Sequence, residues 1–82
     1  MVKITAQIDG MMCDMCEAHV NEAVRRAFPV KKVTSSHKKG QTIILTEQDI
    51  PDDALRQAIA PAGYVLVSAA HGTVQRKGWF RS

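Results

Sequence analysis

The sequence predicts an α+β domain in which two helices cover one face of a four-stranded antiparallel sheet. Residues 2–8 alternate apolar and polar side chains, and residues 64–69 place Val65, Val67 and Ala69 on one side, which is typical of half-buried strands. Residues 14–28 and 51–60 carry apolar side chains at spacings of three and four, which indicates amphipathic helices. A stretch rich in β-forming residues lies between the helices. The order strand, helix, strand, strand, helix, strand specifies a split βαβ, or ferredoxin-like, βαββαβ sandwich.

The first strand and the first helix are separated by a glycine. The alternation ends at Gly10, and the apolar face of the helix then begins with Cys16. Pro29 ends the helix, because proline disfavours a helical residue before it and has no amide to donate. Asp14 and Glu17 lie in the first turn, where the positive end of the helix dipole favours carboxylates and also thiolates.

The middle of the chain predicts a hairpin and a second helix. Residues 30–38 and 42–46 are rich in Val, Thr, Ser and Ile, and Lys39-Gly40 separates them as a turn. The second helix begins at residues 51–53, a proline and two aspartates, and Pro61 ends it. The last strand then follows at residue 64.

In this topology the loop after the first strand and the loop before the last strand lie at the same end of the sheet. We therefore expect Cys13 and Tyr64 to be neighbours. The chain of 82 residues is sufficient for one small domain. We assign this domain to residues 1–70, and residues 71–82 are predicted to be a C-terminal tail because they lack a periodic apolar pattern.

Composition argues against several classes of function. The net charge is only +3 and the chain has only four aromatic residues on which bases could stack, so we expect no nucleic-acid binding. No run approaches the ~20 apolar residues that span a bilayer, so we expect no membrane insertion of this chain. Residues 1–3 lead directly into a strand, and we expect a cytoplasmic protein. The cytoplasm keeps thiols reduced, which favours metal binding or redox chemistry over a structural disulfide.

The two cysteines of the chain, Cys13 and Cys16, are separated by two residues. Two soft sulfur donors at this spacing can bind one ion, since thiolates prefer Cu(I), Zn(II) and similar metals to hard cations. Two thiolates complete a linear site for Cu(I) but leave a tetrahedral zinc site incomplete. The sequence therefore predicts a soft-metal site, with Cu(I) as the preferred ion.

Residues 8–16, Ile-Asp-Gly-Met-Met-Cys-Asp-Met-Cys, resemble the metal-binding loop of heavy-metal-associated domains. This family includes copper chaperones, mercury-binding periplasmic proteins and the amino-terminal modules of metal-transporting P-type ATPases. The resemblance covers about residues 2 to 70 and includes Lys39-Gly40 and the segment 62–64, Ala-Gly-Tyr. Met12 departs from the family, in which threonine is usual at this position.

The resemblance implies a role for four residues. Cys13 and Cys16 would be the metal ligands, Met11 an apolar anchor beneath the loop, and Tyr64 a hydroxyl donor beside the thiolates. It also implies delivery of the ion by ligand exchange to a metal-transporting P-type ATPase or another Cys-x-x-Cys protein, without an enzymatic reaction. A metal-bridged dimer is a further arrangement that two such loops allow.

Three alternatives remain open from the sequence, and one of them is a fold-only interaction module whose cysteines are incidental. The other two concern the chemistry of the loop. Asp14 is a candidate additional ligand, because a carboxylate beside Cys13 raises the coordination number and favours Zn(II), Cd(II) or Hg(II) over Cu(I). The other alternative is a thiol-disulfide oxidoreductase, since Cys-x-x-Cys at a helix start is also a redox motif. It fits less well, because Asp14 and Met15 stand between the cysteines where Trp or Pro is usual.

Other potential donors near the loop are interpreted without a role in ligation. Met12 and Met15 are interpreted as apolar protection of the loop, and His19 as a surface histidine. His37 and His71 have no partner at ligand spacing, and the sequence assigns neither a function.

Overall fold

The computed structural model describes residues 1–73. Its elements are β1 (Val2–Asp9), α1 (Asp14–Ala27), β2 (Lys32–Ser36), β3 (Gln41–Thr46), α2 (Asp52–Ile59) and β4 (Val65–Thr73), with a 3₁₀ turn at Ala60–Ala62 after α2. The four strands form one antiparallel sheet in the order β2-β3-β1-β4. The predicted βαββαβ sandwich is confirmed.

Strand β1 lies at the centre of the sheet and pairs with both β3 and β4. Ile4 is opposite Ile44 on one side and His71 on the other, and the register with β4 shifts between Gln7 and Ile8. Asp9, the last residue of β1, pairs with Val65, the first residue of β4. The loop that follows β1 therefore lies beside the loop that precedes β4.

The helices bury one face each against the sheet, as their spacing predicts. The α1 side chains Val20 and Val24 and the α2 side chains Leu55 and Ile59 have no exposed surface. The outer face of the sheet carries polar residues in β1, but Val65 and Val67 of β4, the side of that strand that the sequence predicts as apolar, are exposed there. The four helix side chains pack against the inward side chains of the sheet. These inward residues include Ile4, Ala6, Ile8, Ile44 and Leu66. Neither helix within residues 1–73 is long and apolar enough to cross a membrane.

The last strand is longer than the sequence indicates. The tail was predicted to begin at residue 71, but β4 continues to Thr73, which pairs with Val2. The ladder to β1 is made by backbone groups, so it continues where the apolar pattern has ended. Residues 74–82, the rest of the predicted tail, lie outside the described residues, and the domain boundary at residue 70 stays a prediction.

His71 holds β4 to the start of α2, a role that the sequence did not indicate. Its Nδ1 lies 2.6 Å from Oδ1 of Asp49, and its Nε2 lies 2.6 Å from Oδ1 of Asp52. An imidazole donates from both nitrogens only when it is protonated. The hydrogen bonds to Asp52 and Asp49 accordingly raise the pKa of His71 above its ordinary value of 6.5.

We predict that this histidine makes the stability of the domain depend on pH. A raised pKa in the folded state means that the contribution is complete below pH 6.5 and is lost as pH rises through the folded pKa. Replacing His71 with Gln should lower the free energy of unfolding by no more than about 1 kcal/mol at pH 6, because both aspartates are partly exposed. At pH 9 the difference from the unmodified protein should be smaller. Urea denaturation at the two pH values measures it.

The matched control is His19→Gln, which removes an exposed histidine that has a long hydrogen bond to Tyr64 but no carboxylate partner among residues 1–73. A stability difference between His71→Gln and the unmodified protein that is equal at pH 6 and pH 9 would contradict the assignment of a charged His71.

Candidate metal centre

Gly10 allows the loop after β1 to lie close to Tyr64. Its φ of 107° is in the region that favours glycine, and a Cβ at this position would lie 3.3 Å from Cδ1 of Tyr64. A side chain at Gly10 would therefore strain the backbone and crowd the ring. The predicted proximity of the two loops is confirmed by this contact.

The loop ends at Cys13, which is the residue before the first turn of α1. Its carbonyl oxygen accepts hydrogen bonds from the amides of Cys16, at 3.0 Å, and Glu17, at 3.3 Å. Cys16 lies within that first turn, so the helix carries both cysteines at its positive end. Both are free thiols, and their Sγ atoms are 3.7 Å apart. Cys13 is exposed, whereas Cys16 is half-buried.

The surroundings of Cys16 favour its thiolate. Its pKa is lowered from the ordinary 9.0 to about 7, chiefly by the Tyr64 hydroxyl, then by the backbone of Met12, with smaller contributions from Cys13. Partial burial opposes this lowering. At neutral pH a large fraction of Cys16 is therefore ionised and ready to bind a cation.

Tyr64 is buried beneath the loop, with 7% of its surface exposed. The Cys16 thiolate and burial raise the pKa of its hydroxyl to about 12, so the hydroxyl remains a donor at neutral pH. Among residues 1–73 its regular hydrogen-bond partner is Nδ1 of His19, at a long 3.5 Å. The hydroxyl also stabilises the negative charge of the Cys16 sulfur, and this is the largest cause of the lowered pKa of that thiol.

The three methionines of the loop have different environments. Met11 is 7% exposed and belongs to the hydrophobic core, as expected for an anchor of the loop. Met12 is 78% exposed and Met15 is 67% exposed. The two sulfurs nearest in sequence to the cysteines are thus on the surface, where they give the rim of the loop an apolar character.

Asp14 and Glu17 contact a histidine that the sequence left without a role. Nδ1 of His37, at the turn between β2 and β3, is 2.7 Å from Oε2 of Glu17 and 3.5 Å from Oδ1 of Asp14. The His37 amide also donates to Glu17 Oε2 at 2.7 Å, and these two bonds hold the pKa of Glu17 below its ordinary value. The element order could have indicated this contact, because the β2–β3 turn lies at the same end of the sheet as the start of α1.

Comparison with known proteins gives relatives of several kinds, although no family model matches the chain. The mercuric reductase of Serratia marcescens is 36% identical over 75 residues, which is 90% of this chain but 16% of that protein. The copper chaperone CopZ of Enterococcus hirae is 36% identical over 58 residues, which is 70% of this chain and 84% of that protein. The N-terminal domain of ZntA in the Zn(II)-form has a TM-score of 0.71 and 27% identity, covering 84% of this chain and 96% of that one.

A four-stranded sheet with two helices on one face and two reduced thiols at the start of the first helix defines a small metal-binding domain. The match to CopZ extends over 84% of that protein and identifies the family of this domain. The chain belongs to the heavy-metal-associated domain family, as its loop predicts. It spans 16% of the length of the Serratia mercuric reductase that it matches.

We predict that Tyr64→Phe raises the pKa of Cys16 from about 7 toward 9.0, because the hydroxyl is the largest cause of the lowered value. Phenylalanine keeps the buried ring, so the fold should remain. The thiolate absorbance of the reduced protein, measured against pH in a Cys13→Ser background, reports Cys16 alone. An unchanged titration would mean that the loop amides, rather than Tyr64, stabilise the thiolate.

Proposed function

We propose that this domain binds one Cu(I) ion between Cys13 and Cys16 and delivers it to a second thiolate site by ligand exchange. The observation that carries the proposal is the pair of free thiols, 3.7 Å apart, of which Cys16 has a pKa of about 7. Two sulfur donors, one of which is already largely ionised at neutral pH, suit a soft monovalent ion that accepts two ligands.

The exposure of the loop supports transfer rather than storage. Cys13 is open to solvent, and the neighbouring Met12 and Met15 offer an adaptable apolar surface to a docking protein. A thiolate of the partner can enter as a third ligand before one of the original sulfurs leaves, so the ion need not pass through water. The reaction is an exchange of ligands and requires no enzymatic conversion.

The partner that suits this exchange is a metal-transporting P-type ATPase or another Cys-x-x-Cys protein. A metal-bridged dimer of two such loops would use the same chemistry. Reduced cysteines fit a reducing compartment, and we infer the cytoplasm as the place of action.

Zn(II) is the second candidate ion, with Cd(II) and Hg(II) as related soft or borderline ions. A tetrahedral site with Zn–S bonds of about 2.3 Å separates its sulfurs by about 3.8 Å, close to the 3.7 Å between the two Sγ atoms. A linear ion with bonds of that length needs about 4.6 Å, which rotation of the exposed Cys13 side chain can supply. The contact of Asp14 with His37 argues against Asp14 as the third zinc ligand, because it draws the carboxylate toward the β2–β3 turn.

We predict that the reduced protein binds one Cu(I) per chain in competition with a coloured Cu(I) chelator. Cys13→Ser with Cys16→Ser should abolish this binding while the fold, measured by circular dichroism, is kept. The matched control is Met12→Leu with Met15→Leu, which removes two neighbouring sulfurs and should leave binding unchanged.

The same titration with Zn(II) decides between the two ions. Zinc binding that outcompetes Cu(I) at the thiolates, requires both cysteines and weakens in Asp14→Asn would establish the zinc alternative and overturn the copper assignment.

A further inference from the structure

A second set of donor atoms lies beside the thiol loop and contains no sulfur. It consists of Asp14 and Glu17, three residues apart on the first turn of α1, and His37 at the β2–β3 turn. One ligand atom from each of the three residues lies within 4.8 Å of the others. Two separate elements of the fold thus contribute to one cluster.

The spacing of these atoms suits a small divalent ion. Bonds of about 2.0–2.2 Å to nitrogen and oxygen separate neighbouring ligand atoms by about 3.0–3.5 Å. Nδ1 of His37 is 3.5 Å from Asp14 Oδ1, within this range, and 2.7 Å from Glu17 Oε2, a hydrogen-bond distance that is slightly shorter than the range. A shift of a few tenths of an ångström would therefore open the cluster to a metal.

The cluster is held in place before any ion binds. The backbone amide of His37 donates to Glu17, and the side chains of His37 and Glu17 are only 24% and 25% exposed. Asp14 is 93% exposed, which leaves an open side for water ligands. Lys38 and Lys39 follow His37 in sequence, but within residues 1–73 neither forms a salt bridge with the two carboxylates.

We propose that Asp14, Glu17 and His37 form a second metal site, for a borderline divalent cation such as Zn(II), that is separate from the two thiolates. Two carboxylates and one imidazole are donors that suit Zn(II), Co(II) and Ni(II), whereas Cu(I) prefers the sulfurs. The bound ion would join the start of α1 to the β2–β3 turn. It would also give Asp14 a role in zinc binding that does not involve Cys13 or Cys16.

The test uses Cys13→Ser with Cys16→Ser, which lacks both thiols, and titrates it with Zn(II) and Co(II) by calorimetry and absorbance. We expect one ion per chain and a Co(II) spectrum without thiolate charge-transfer bands. Adding His37→Gln or Asp14→Asn to this variant should weaken binding at least about tenfold, as the loss of a ligand or its support does. Asp14 is 93% exposed, so its replacement should change the stability of the fold little.

The matched control is His71→Gln in the same background, since His71 also lies between two carboxylates but at the far end of the sheet. It should leave the affinity unchanged. Zinc should also raise the thermal unfolding temperature of the thiol-free variant and not that of its His37→Gln form, because an ion bound only to the folded state stabilises it.

No zinc binding by the thiol-free variant would overturn the second site, as would binding that His37→Gln and Asp14→Asn leave intact. Neither result affects the copper proposal, which concerns Cu(I) at the cysteines. Conversely, failure of Cu(I) to bind the unmodified protein would overturn the copper proposal but would not affect the second site, which is tested by zinc binding to the thiol-free variant.

Discussion

The pairing of β1 with both β3 and β4 is the constraint on which the thiol loop depends. Because Asp9 pairs with Val65, the residues just beyond that pair, Gly10 and Tyr64, meet at the end of the sheet. The Tyr64 ring then lies under the loop, and its hydroxyl contributes most to the low pKa of Cys16. A local motif of two cysteines thus obtains its ionisation state from a residue about fifty positions away in the chain.

The thiol loop has a backbone that is held in place and side chains that are exposed. Met11 is part of the core, and the carbonyl oxygen of Cys13 accepts hydrogen bonds from the amides of Cys16 and Glu17. The backbone of the loop is therefore held at both of these residues. The Cys13 and Met12 side chains nevertheless face solvent. This division is compatible with the ligand exchange proposed above, because the loop backbone is preorganised while the exposed Cys13 side chain can still move.

The first turn of α1 gathers two kinds of anionic donor around one helix end. The positive end of a helix favours thiolates and carboxylates alike, and Cys16, Asp14 and Glu17 all lie in this turn. Both carboxylates contact His37, so the oxygen and nitrogen donors form a group of their own. In chemical terms, the fold sorts hard and soft ligands that are interleaved in sequence.

The sequence by itself determined the element order, the apolar faces, the family and the position of the thiol loop, because periodicity and the Gly-Met-x-Cys-x-x-Cys spacing are local properties of the chain. It also predicted that Tyr64 approaches Cys13, since that follows from topology alone. Only the tertiary structure decided that β4 continues to Thr73, because backbone pairing needs no side-chain pattern. The element order brings the β2–β3 turn to the start of α1, but only the tertiary structure showed which side chains meet there, because the pairing of His37 with Glu17, like that of His71 with Asp49, depends on packed side-chain geometry.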